Sequence, residues 1–80
     1  MNSYRVPYGS AWVVLSSLLI GMHEPSPYSP LGDPRLMYRR GDVLLVGDLE
    51  YDYVRVLAPQ GGWLSSQIFC EGSVYLMRVA

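Results

Sequence analysis

The chain predicts an all-β fold, a small barrel of five or six strands with an extended N-terminal segment and a long Pro-rich loop. Residues 35–69 read RLMYRRGDVLLVGDLEYDYVRVLAPQGGWLSSQIF, short apolar runs punctuated by Gly and Asp turns. Residues 23–34, HEPSPYSPLGDP, carry four prolines, which remove backbone donors and fix φ, so neither a helix nor an inner strand persists there. No coiled-coil heptads, internal repeat or long helical period competes with this pattern. At 80 residues the sequence is read as one domain, 1–80.

Taken in order, residues 2–10 (NSYRVPYGS) suit an edge strand or ordered arm, because Pro7 and Gly9 break a helix. Residues 11–22 (AWVVLSSLLIGM) are the most apolar run and read as a buried strand or strand pair. With Arg5 ahead of it the run also resembles the core of a signal peptide, but Ser16 and Ser17 interrupt it and it falls short of the roughly 20 residues that span a bilayer. Residues 35–38 are expected to be extended, with Leu36 and Tyr38 on one face, and residues 39–42 (RRGD) to turn. Val43, Leu44, Leu45 and Val46 form a continuous apolar run, as in a central strand covered on both faces, and Gly47 and Asp48 are expected to open a loop. Residues 53–57 alternate, with Val54 and Val56 on one side, and APQGG turns the chain back. Two more extended segments follow, 63–69 and 74–79. The last, VYLMRV, has apolar residues on both faces, which requires that it be sandwiched or pair outside the domain.

Composition narrows the function. Half the residues are hydrophobic and only 16% are charged, so part of the apolar excess is expected to face a partner. The net charge is −1, and Arg35, Arg39 and Arg40 are the sole basic cluster, which disfavours general nucleic-acid binding. Cys70 is the only cysteine and His23 the only histidine. A disulfide within the chain is excluded, a reducing compartment is favoured, and no metal site, cofactor or catalytic triad is expected. His23 reads as a solvated loop residue.

The order Leu36, Tyr38, Arg39-Arg40-Gly41-Asp42, an apolar strand, an acidic loop, an aromatic-led strand and then Gly62-Trp63-Leu64-Ser65-Ser66 resembles an SH3 domain. RLMYRRGD is similar to that family's ELSF-like piece and diverging turn, and GWLSSQIF to its GWLPSNYV-like segment. The likeness spans residues 35–69. It implies a small SH3-like barrel. Tyr53 stands where the family's groove tryptophan would be, Ser65 and Ile68 replace the groove proline and tyrosine, and no ALYDY-like motif precedes the loop. The fold therefore carries over, and the grip on proline-rich ligands does not.

Candidate partner-binding residues are Tyr28, Asp48, Glu50, Tyr51, Asp52, Tyr53 and Trp63. In an extended segment Asp48, Glu50 and Asp52 share one face, an acidic ladder suited to a basic protein surface or to mimicry of nucleic acid. Tyr28, Tyr51, Tyr53 and Trp63 sit in or beside loops, where aromatics serve as interface anchors; for Trp63 the alternative is closure of one end of the barrel. Paired carboxylates also serve glycosidases, but that work needs a cleft and a fixed separation that an 80-residue barrel rarely supplies. The expected function is a non-catalytic protein-binding module, an inhibitor or adaptor such as a viral accessory protein acting in the cytoplasm of a bacterium or infected host cell. The alternatives are a barrel contacting nucleic acid through its arginines and a self-assembling subunit in which VYLMRV or the N-terminal arm pairs with a second copy.

Overall fold

The computed structural model describes residues 6–80. The apolar run at 11–22 is two strands, β1 (Ala11–Val14) and β2 (Leu18–Ile20). They separate where the Ser16 hydroxyl donates to Leu18 O (3.0 Å) and receives the Leu18 N–H (3.4 Å), a local bond that competes with a continuous ladder. Ahead of β1, residues 6–10 are an arm without strand pairing, tied down by Gly9 N to Val46 O (2.7 Å) and Val46 N to Ser10 O (3.0 Å). The rest of the predicted N-terminal segment, residues 2–5, lies outside the described residues.

Residues 34–36 correct the expected extended piece: Pro34–Leu36 is a 3-10 turn. Asp33 caps it by accepting the Arg35 N–H (2.9 Å), and Pro34 fits the first position, where no donor is needed. Leu36 and Tyr38 are nonetheless both buried, and β3 (Met37–Arg39) follows. The RRGD turn forms as read, with Asp42 Oδ2 accepting the Arg39 N–H (2.8 Å) and Gly41 at φ +95°.

β4 runs Val43–Glu50, so Gly47 and Asp48 lie within a strand. Its pairing with β5 (Tyr53–Ala58) changes register on either side of Val46, from Leu45↔Ala58 to Val46↔Val56 to Leu49↔Val54. The compensating bulges absorb Gly47 into the sheet, where Leu57 lies against its bare Cα. A second correction concerns cover. Leu44 and Val46 are fully buried, but Val43 is 55% exposed and Leu45 is also open, so one face of this central strand is bare. The chain continues through β6 (Trp63–Ser65), a 3-10 turn at Ser66–Ile68 capped by Ser65, and a short β7 (Leu76–Arg78). The extended segments read at 63–69 and 74–79 are thus each only partly strand.

The architecture is a five-stranded antiparallel sheet, in the order β6-β5-β4-β1-β7, and a β2-β3 hairpin. The chain bends from β1 into β2 and from β3 into β4, so the hairpin continues the β1-β4 pair into a second layer. One bridge, Met22↔Trp63, ties the end of the hairpin to the β6 edge. The two layers share one core: Trp12, Val14, Leu44, Val46, Val54, Val56, Leu64, Phe69 and Leu76 pack with Leu19 and Tyr38 of the hairpin. Phe69 meets Trp12 edge-on at 5.1 Å between centroids. No helix among the described residues is long and apolar enough to cross a membrane.

Candidate functional site

The β4–β5 connection carries most of the candidate residues. β4 ends in Asp48-Leu49-Glu50, and Glu50 pairs directly with Tyr53 across the hairpin. Leu49 pairs with Val54, whose side chain enters the core, so Glu50 and Tyr53 face the other way. Tyr51 makes the tight turn at φ +55°, a conformation that costs a non-glycine residue, and its side chain is 80% exposed. Asp52 follows with its side chain in solvent, while its carbonyl accepts the Ser66 N–H (2.8 Å) and fixes the turn to the 3-10 segment behind it. The ladder is therefore interrupted: Asp48 and Glu50 lie on the strand, and Asp52 lies beyond a turn that breaks the alternation. Among the described residues none of the three carboxylates takes part in an ion pair.

Tyr28 is 92% exposed but stands elsewhere. Its loop is braced internally, with the Ser29 hydroxyl accepting the N–H groups of His23 (3.0 Å) and Glu24 (3.2 Å). The strands flanking it are tied to β6 and to the β5–β6 turn: Met22 N donates to Trp63 O (2.9 Å), and Tyr38 of β3 donates its hydroxyl to Gln60 O (3.1 Å) and Gly61 O (3.0 Å). That turn is at the far end of β5 from Tyr51, so the structure does not gather Tyr28 with the acidic residues. Trp63 departs from the expected exposure. It is 7% exposed, on the opposite side of β6 from Leu64, with the Arg55 guanidinium over its ring at 5.1 Å.

At the base of the Pro-rich loop Arg35 pairs with Asp33, a pairing within the chain that the sequence allowed, and His23 joins them, which the sequence did not announce. Asp33 accepts from Arg35 Nε (3.1 Å) and Nη2 (2.8 Å), and His23 Nε2 lies 3.0 Å from the same carboxylate. The Arg35 hydrogen bonds, with smaller help from His23, hold the Asp33 carboxyl well below the usual carboxylate range, and Asp33 in turn raises Arg35. His23 and Asp33 sit at opposite ends of the loop, so no local spacing announces their contact. The basic cluster is also partly engaged within the chain, with Arg35 on Asp33 and Arg40 Nε donating to Leu15 O (3.0 Å). Burial pushes the Tyr38 phenol up to about 12. Among the described residues no group of three or more His, Cys, Asp or Glu side chains is arranged to hold a metal.

Comparison with protein-family models, with curated proteins and with solved structures finds no match for this chain.

Proposed function

We propose that this chain is a small, non-catalytic protein-binding module of SH3-like build that engages a basic protein surface through its β4–β5 turn. The observation that carries the reading is Tyr51, an aromatic side chain held almost wholly in solvent on a braced turn, flanked by carboxylates that form no ion pair among the described residues. A tyrosine on a fixed backbone offers a large contact area at low entropic cost, and the surrounding negative charge supplies orientation and encounter rate. Tyr53, half-buried beside Glu50, extends the same surface. Support for the SH3-like build comes from the element order, the bends that carry β1 into β2 and β3 into β4, and the Met22–Trp63 bridge between the layers. An inhibitor or adaptor acting in the cytoplasm of a bacterium or infected host cell, as viral accessory proteins do, fits a module of this size.

Affinity capture from the native cell tests the proposal. Tyr51→Ala, Tyr53→Ala and the triple Asp48→Asn, Glu50→Asn, Asp52→Asn variant are each expected to lose the captured protein. Capture by the unmodified chain should weaken as salt rises, because exposed charges are screened beyond about 10 Å at 0.1 M. Equal capture by all three variants removes this surface from consideration.

A further inference from the structure

The strand read as VYLMRV is not sandwiched. In β7 only Leu76 is buried, while Met77 is 52% exposed and Val74, Tyr75 and Val79 are open as well. β7 also ends the sheet, and no described residue pairs with its outer edge. Its backbone orientation follows from the bonds to β1: Leu15 N donates to Tyr75 O and Val79 N to Ala11 O (2.8 Å each), so residues 75, 77 and 79 face β1. The N–H and C=O groups of Leu76 and Arg78 therefore point away from the sheet.

The bare face leads to the same edge. Register places Met77, Val13 and Val43 side by side, and beside them Ala11, Leu45 and Ala58. With Val79 and Leu57 they form a contiguous apolar patch in which Val43 (55%), Met77 (52%), Val79 (49%), Leu45 (40%) and Leu57 (36%) stay exposed, the kind of surface associated with interaction sites. The patch holds no charged side chain and runs to the free edge of β7.

We infer that β7 pairs antiparallel with β7 of a second copy of this chain, about a two-fold axis through Met77. The edge is self-complementary in that register. Leu76 of each copy opposes Arg78 of the other, which gives four backbone hydrogen bonds, and the two Met77 side chains meet on the axis as a non-hydrogen-bonded pair with Cα atoms about 4.5 Å apart. The apolar rows of both sheets then become continuous. Charge agrees with this pairing: Arg78 is the one charged residue in 74–80, it faces Leu76 and not another arginine, and its Nε turns back to Ala80 O (3.4 Å). β7 carries no proline, lysine or bulge of the kind that blunts an edge against pairing.

Sedimentation and light scattering from about 10 μM to about 1 mM, a range that spans moderate to weak affinity, are expected to show the mass rising from the 9.0 kDa monomer toward twice that value. Met77→Lys puts a charge on the axis, and Arg78→Pro removes an outward N–H while leaving the bonds to β1; both should remain monomeric with an unchanged circular dichroism spectrum. In a Cys70→Ser background, Met77→Cys should form an interchain disulfide on mild oxidation and Val43→Cys should not, because Met77 alone meets its own copy within disulfide reach. A monomer at every concentration, a mass rise that survives both Met77→Lys and Arg78→Pro, or equal cross-linking from residues 77 and 43 overturns the inference.

Discussion

Tyr38 and Asp33 are single side chains that each hold a distant piece of chain, and each leaves a pH signature. The Tyr38 hydroxyl is the tie between the hairpin and the β5–β6 turn, and its burial raises the pKa from 10.0 to about 12. A folded pKa above the unfolded one means that its contribution is complete below pH 10 and lost as pH rises through about 12. Tyr38→Phe is expected to cost about 1 kcal/mol in denaturant unfolding at neutral pH. It should also remove the component of the phenolate absorbance titration near pH 12. Asp33 has the opposite sign. Its folded pKa is depressed by Arg35, so its contribution is present above the ordinary carboxylate range and is lost as pH falls below about 4. Unfolding midpoints measured down that acid limb should fall less steeply for Asp33→Asn than for the unmodified chain.

Among the elements, glycine substitutions separate the strained positions from the merely crowded ones. Gly62 opens β6 at φ +130°, and a Cβ there would sit 3.2 Å from Leu36 Cδ2 and 3.4 Å from Met22 O, so Gly62→Ala is expected to cost about 1–3 kcal/mol. A Cβ on Gly47 would come within 2.9 Å of Leu57 Cδ2, but that atom is the end of an exposed side chain free to change rotamer, so Gly47→Ala should cost about 1 kcal/mol or less. Thermal melts distinguish the two, since 1 kcal/mol moves a domain of this size by about 4–8 °C. The same comparison shows what the sequence made legible. Turn chemistry with a side-chain partner next door was readable, as in the RRGD turn that Asp42 closes. Element ends fixed by distant strands were not. Gly47 and Asp48 look like a loop, and they are held in β4 because the register with β5 shifts around Val46 to accommodate them.

At the scale of the whole molecule, the surface read as functional and the interior that supports it are separable. The acidic turn was legible because its residues are contiguous in the chain. The bare apolar face was not, because Met77, Val13 and Val43 become neighbours only through pairings between segments far apart in sequence. Small domains have thin stability margins, about 5–15 kcal/mol at most, and this core depends on Phe69, which lies fully buried against Trp12. Phe69→Ala is expected to cost about 3–5 kcal/mol, much of that margin. Tyr51→Ala removes a side chain that touches solvent and keeps the Cβ, so the cost of the positive φ is unchanged and its stability should stay within about 0.5 kcal/mol of the unmodified chain. Measured together by urea unfolding and partner capture, the two variants should separate, with Tyr51→Ala folded and silent and Phe69→Ala unstable, binding only in proportion to its folded fraction. If Tyr51→Ala instead lost stability as Phe69→Ala does, the turn would be part of the scaffold, and any loss of capture would reflect unfolding and not a lost contact.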